Sequence, residues 1–201
     1  MNKNLSQQIQ ILINQFNARN YDLVISKGNS LLKKNPEYVI LYNLIGSAYQ
    51  NNGDYINSKL NFKSGIKLDP NNIALLNNLG LSHKNLLEYD LAEKSFLKIL
   101  NLNNKYINAY INLGNLKRDL NKFDEAIEIY EKALSISKEN PVVYYSLALA
   151  HQGIGNFEKS ILYSKETLKI NPNFTRADHL ISQSKKYNIG DKHYLELKEK
   201  I

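Results

Sequence analysis

The stretch that decides the fold runs Tyr42-Asn43-Leu44-Ile45-Gly46-Ser47-Ala48-Tyr49 and is followed by Tyr55, Ser58, Phe62 and Pro70. Apolar residues recur in it at the spacing of an α-helix. The run Asn51-Asn52-Gly53-Asp54 interrupts the pattern with residues that favour a turn. The stretch therefore predicts two helices joined by a short turn, that is, a helical hairpin.

The same pattern returns every 34 residues. Aromatic residues with this spacing are Tyr21, Tyr55, Tyr89, Phe123 and Phe157. A second column contains Ile11, Ile45, Leu79, Leu113 and Leu147, and the small residues Gly46, Gly80, Gly114 and Ala148 follow its last four members. A fixed period of this length is typical of repeat proteins. We therefore predict five helical hairpins, at 5–38, 39–72, 73–106, 107–140 and 141–174.

These columns resemble the tetratricopeptide repeat (TPR) family, and the resemblance covers residues 5–174. It implies an all-α fold, a right-handed superhelix or α-solenoid of five hairpins. Small residues would let the two helices of a hairpin approach closely, and the aromatic residues would wedge between neighbouring hairpins. The first repeat departs from the family pattern at Gln8, Leu12 and Gly28.

The end of a stacked array needs a polar cover, and we predict a capping helix at 175–187. Ala177, Leu180 and Ile181 would face the fifth hairpin. The residues expected to face water are Arg176, Asp178, Gln183, Lys185 and Lys186. Residues 188–201 are predicted to be a junction and the start of a further helix. This junction resembles the linker of bacterial proteins in which a TPR array precedes a sulfotransferase or glycosyltransferase domain, which implies a C-terminal catalytic domain in a longer chain.

Several classes of chemistry are disfavoured by the composition. The chain has no cysteine, which excludes disulfides, thiolate nucleophiles and cysteine-ligated metals. Its histidines, at 83, 151, 179 and 193, lack the helical spacing that brings metal ligands together. We predict no cofactor and no catalytic constellation. The first eight residues do not show a basic stretch followed by an apolar core, and no apolar run approaches the roughly 20 residues that span a bilayer, so we expect a cytoplasmic protein without membrane contact.

The net charge of +7 raises the question of nucleic-acid binding. The charge is spread thinly along the chain and consists almost entirely of lysine, with arginine only at 19, 118 and 176. Recognition of phosphates and bases favours the forked guanidinium group. We therefore disfavour a nucleic-acid partner.

The TPR resemblance places one face of each first helix on the inner wall of the superhelix. The candidate groove residues are Asn43, Ser47, Asn77, Asn78, Lys84, Asn108, Asn112, Asn115, Arg118 and Ser146. Asparagine dominates this set, and a carboxamide can both donate to and accept from a peptide backbone. Asn78 and Asn112 resemble the asparagine ladder of O-linked N-acetylglucosamine transferases. The alternative is that asparagine is simply abundant in this protein.

The groove lacks the convergent lysines and arginines with which another TPR subclass clamps the terminal carboxylate of chaperones. Three hypotheses follow for the function. The favoured one is a protein-interaction scaffold that binds an extended peptide or a partner protein in its concave groove. The others are the noncatalytic recognition module of a larger sulfotransferase or glycosyltransferase, and a self-associating structural array.

Overall fold

The computed structural model describes residues 3–184, which form eleven α-helices and no strand. The helices are α1 (Lys3–Asn17), α2 (Tyr21–Lys34), α3 (Val39–Asn51), α4 (Tyr55–Leu68), α5 (Ile73–Asn85), α6 (Tyr89–Leu102), α7 (Ile107–Asp119), α8 (Phe123–Ile136), α9 (Pro141–Gly153), α10 (Phe157–Ile170) and α11 (Thr175–Ser184). The first ten pack in consecutive pairs, and a three-residue turn joins the two helices of each pair. The all-helical hairpin fold predicted from the 34-residue period is confirmed.

The helices are grouped into two compact units, α1–α6 before Lys105 and α7–α11 after Asn104. Within each unit, the second helix of a hairpin packs on the first helix of the next hairpin. The first helices of adjacent hairpins also pack on each other, whereas no pair of second helices in the described part of either unit does so to the same extent. The first helices therefore line the inner side of each unit.

Close approach within the hairpins depends on pairs of small and aromatic residues. A Cβ atom added to Gly46 would lie 2.6 Å from Cε1 of Phe62, and one added to Gly80 would lie 2.5 Å from Cε1 of Phe96. Both rings are fully buried. The predicted role of the small column is confirmed, because any larger side chain would overlap the ring of the facing helix.

The first hairpin reverses this arrangement of sizes. The positions that hold Gly46 and Phe62 in the second hairpin hold Leu12 and Gly28 in the first. A Cβ atom on Gly28 would lie 2.7 Å from Cγ1 of Ile45, so the missing side chain makes room for the next hairpin. In the first repeat the glycine therefore allows close packing of α2 on α3, whereas α1 and α2 are in less extensive contact than the two helices of the other hairpins.

The turns within the hairpins repeat one backbone conformation. The positive φ angles at this turn are found at Arg19 (62°), Gly53 (79°), Leu87 (61°), Asn121 (59°) and Gly155 (76°), which lie 34 residues apart. Glycine adopts this left-handed conformation without strain, whereas a leucine does not. Leu87 is also 70% exposed, so the third turn carries both backbone strain and an apolar surface.

Helix α11 packs on the fifth hairpin, and its residues Ala177, Leu180 and Ile181 are buried. The prediction for Asp178 is wrong, because only 5% of this residue is exposed. It follows Ala177 directly and precedes Ile181 by three positions, so it lies on the edge of the packed face. Residues 185–187 of the predicted cap and the predicted junction at 188–201 lie outside the described residues.

Candidate functional site

Asparagine and serine side chains meet in the first unit where α3 packs on α5. Asn43 and Ser47 lie one turn apart on α3, and Asn77 and Asn78 lie near the middle of α5. All four are partly exposed. The fold brings them together because first helices of adjacent hairpins are neighbours on the inner side of the unit.

Asn78 joins the two helices through its carboxamide. Its Nδ2 atom donates to Oδ1 of Asn43 over 3.0 Å and lies 3.5 Å from Oγ of Ser47. Nδ2 of Asn77 lies 3.4 Å from Oδ1 of Asn78, a long and weak hydrogen bond. An asparagine side chain has two donor hydrogens and two acceptor lone pairs, so the Asn43–Asn78 bond uses only part of the capacity of each residue.

A second polar layer supports this amide pair from behind. Nε2 of Gln50 donates to Oγ of Ser82 over 3.3 Å and lies 3.4 Å from the carbonyl oxygen of Asn78. Oγ of Ser82 also lies 2.8 Å from Oγ of Ser58, which is fully buried on α4. These contacts hold α3, α4 and α5 in one arrangement. Gln50 and Ser82 are not among the groove residues predicted from the sequence, although Ser58 belongs to the repeat pattern.

An ion-pair network lies at the end of α5, next to the half-buried Lys84. Nζ of Lys59 lies 2.6 Å from Oε1 of Glu88, and the other carboxylate oxygen of Glu88 bonds to Nδ1 of His83. Hydrogen bonds from Lys59 and His83 lower the pKa of Glu88. Burial lowers the pKa of His83, although the hydrogen bond to Glu88 acts in the opposite direction. The network joins the second and third hairpins and has a structural role.

In the second unit, α7 carries four of the predicted groove residues. Asn108 is exposed and Asn112 is half-buried. Oδ1 of Asn115 accepts a hydrogen bond of 2.7 Å from the hydroxyl group of Tyr130, a fully buried residue of α8. Nη2 of Arg118 lies 3.5 Å from Oδ1 of Asp119. Asn115 therefore satisfies a buried hydroxyl group within its own hairpin.

Ser146, on α9, is only 4% exposed, and its hydroxyl group donates to the carbonyl oxygen of Val142 over 2.8 Å. The partner of Asn115 is protonated at neutral pH. Burial raises the pKa of Tyr130 from its ordinary value of 10.0 to about 12, so the hydroxyl group keeps the proton that it donates to Asn115. The polar atoms of Asn115 and Ser146 thus contribute to the internal structure of the second unit.

The described residues, 3–184, show neither a metal site nor a membrane-spanning helix. No group of three or more histidine or acidic side chains in this range is placed to hold a metal ion. No helix of this range is both long and apolar enough to cross a membrane.

Family models match more than half of the chain. A tetratricopeptide-repeat model matches residues 39–72, 73–106 and 141–174, and a second TPR model matches residues 114–155. No curated protein matches the sequence.

Solved structures of TPR proteins share the fold. MamA is 24% identical with a TM-score of 0.70, and the match covers 88% of this chain and 96% of MamA. A thermophilic TPR protein of Thermus thermophilus is 14% identical with a TM-score of 0.75 and coverages of 90% and 98%. YrrB, described as a TPR protein with an unusual peptide-binding site, is 17% identical with a TM-score of 0.65 and coverages of 86% and 89%. From its family-model matches and its helical hairpins, we conclude that the chain belongs to the tetratricopeptide-repeat family.

Proposed function

We propose that this protein is an interaction scaffold whose first unit binds an extended peptide segment of a partner along α3 and α5. The proposed contacts are Asn43, Ser47, Asn77 and Asn78. The fold is that of a scaffold family, and the peptide-binding site described for YrrB supports a peptide as the ligand. Lys84, Asn108, Asn112 and Arg118 remain further candidates, each within its own unit.

The observation that carries this proposal is the hydrogen bond between Asn78 and Asn43. It orients two partly exposed carboxamides from neighbouring helices before any ligand arrives. A site whose polar groups are already held in place loses less conformational entropy on binding. The layer of Gln50 and Ser82 behind Asn78 adds to this preorganisation.

The chemistry suits recognition of a peptide backbone. An extended peptide presents N–H and C=O groups along its length, and an asparagine side chain can accept from the first and donate to the second. Such contacts do not depend on the side chains of the ligand. The affinity would then come from the backbone and the selectivity from the surrounding surface.

The test compares the wild type with Asn78→Leu in binding to a fluorescently labelled library of unstructured peptides. Leucine is a mild replacement because Leu44 occupies the same position of the repeat in the second hairpin. The matched control is Asn61→Ala, which removes an asparagine of α4 whose amide donates to the carbonyl oxygen of Asn57.

We expect Asn78→Leu to bind at least about tenfold more weakly, a loss of about 1.4 kcal/mol. The control should bind as the wild type does, and circular dichroism should show the same helix content in all three proteins. Equal binding by the wild type and Asn78→Leu would contradict the proposal. So would a wild type that binds none of the peptides.

A further inference from the structure

Carboxylate groups are distributed very unevenly in the first unit. Residues 3–104 contain seven of them, Asp22, Glu37, Asp54, Asp69, Glu88, Asp90 and Glu93. All seven lie on second helices or on connections, and none lies on the first helices α1, α3 and α5. The first helices, which line the inner side of this unit, therefore carry no carboxylate group.

This distribution differs from what the composition alone would produce. The three first helices have 15, 13 and 13 residues, and the chain has 19 Asp and Glu among 201 residues. An even distribution would place about four carboxylates on these helices. None is found there, and two of these three helices, α3 and α5, carry the amide pair of Asn43 and Asn78.

We propose that the segment bound by the first unit is acidic, rich in Asp and Glu. This inference rests on the proposed function and names the class of peptide that the same site selects. A carboxylate group of the ligand would meet the amide of Asn43, the hydroxyl group of Ser47 and the positive charge of Lys84. A lysine or arginine of the ligand would meet no opposite charge on these helices.

The charges elsewhere in the unit favour the same ligand. Residues 1–104 contain 11 Lys and Arg against seven Asp and Glu, a net charge of +4. At least four of the seven carboxylates already have partners, and two of these are Asp22, which accepts from Asn52, and Asp69, which accepts from Asn72. Asp54 accepts from the backbone N–H of Asn57 at the start of α4, and Glu88 pairs with Lys59. A net positive unit attracts an acidic segment and speeds its association at low salt.

This surface suits acidic side chains within a peptide segment and not a carboxylate at the end of a chain. A clamp for a terminal carboxylate requires convergent cations, and among α1, α3 and α5 only α5 carries a lysine in its last turn. Asparagine and serine donors spaced along two helices instead suit carboxylates spaced along an extended chain.

The experiment uses three labelled peptides of one length, in which alternate residues are Asp and Glu, Asn and Gln, or Lys. Their affinities for the full chain are measured by fluorescence anisotropy at low and moderate salt. The test variant is Asn43→Asp, which keeps an oxygen to accept the hydrogen bond from Asn78 and adds one negative charge. Asn101→Asp, at an exposed position of the second helix α6, is the control of equal net charge.

We expect the acidic peptide to bind about five- to tenfold more tightly than the neutral one, and the Lys peptide to bind most weakly. Asn43→Asp should abolish this preference while Asn101→Asp preserves it. Equal affinity for the acidic and neutral peptides, both weakened by Asn78→Leu, would overturn the inference and leave the proposed function standing. An acidic preference unchanged in Asn43→Asp would also overturn it, because the selectivity would then come from net charge. Failure of the wild type to bind any peptide would overturn both proposals.

Discussion

Gly80 packs against Phe96. We predict that Gly80→Ala destabilises the wild type but stabilises a variant that lacks the Phe96 ring. Gly80→Ala places a Cβ atom 2.5 Å from Cε1 of Phe96, about 1 Å closer than ordinary contact. Phe96 is fully buried, so its ring has little room to move. The fifth hairpin holds Ala148 and Ser164 at the equivalent positions, which places an alanine opposite a small residue.

Two opposing terms set the magnitude. Overpacking a dense core costs about 1–3 kcal/mol. Alanine in place of glycine within a helix contributes about 1 kcal/mol of stabilisation. We expect Gly80→Ala to destabilise the wild type by about 1–2 kcal/mol, since the overlap lies at the severe end of the range. In the Phe96→Ala background the overlap is absent, and the same substitution should stabilise the protein by about 1 kcal/mol.

The assay is urea denaturation of the four proteins, followed by helical circular dichroism and compared by free energies of unfolding. Phe96→Ala alone should lose about 3–5 kcal/mol. The double-mutant cycle isolates the coupling between the two positions, which we expect to be about 2–3 kcal/mol. Equal destabilisation by Gly80→Ala in both backgrounds would refute the steric explanation.

Two further predictions concern stability. Burial lowers the pKa of His83 and of His151 below 6.5, so the unfolded chain takes up these protons first as the pH falls. The contribution of the two histidines to stability should be fully present above pH 6.5 and should decline below it. His151→Phe keeps a ring against Tyr163 and should reduce this decline. The measurement is thermal denaturation between pH 6.5 and 5. An unchanged pH profile would contradict this. Leu87→Gly should raise the free energy of unfolding by up to about 1 kcal/mol because it removes left-handed strain, and Gly53→Leu should lower it by about as much. A destabilised Leu87→Gly would show that the exposed leucine has an unrecognised contact.

Part of the candidate site was accessible from the repeat pattern. Helical periodicity indicates which residues of one helix share a face, and together with the TPR resemblance it predicted that Asn43 and Asn78 lie on the inner wall. It did not reveal that Asn115 bonds to Tyr130 or that Ser146 bonds to its own helix. Each of these hydrogen bonds depends on how far the side chain lies from one particular partner atom, and a helical pattern does not specify that distance.

The sequence by itself determined the hairpins and the family, because a 34-residue period with helical spacing and turn residues is a local signal repeated five times. It also placed the small residues, since Gly46 and Gly80 stand at fixed positions in that period. Only the tertiary structure decided which polar atoms on the inner side of each unit are hydrogen-bonded to each other. Asn78 and Asn43 are 35 residues apart, and their distance depends on how two helices pack. A helical pattern specifies the direction of a side chain, whereas its partner is specified by packing between helices.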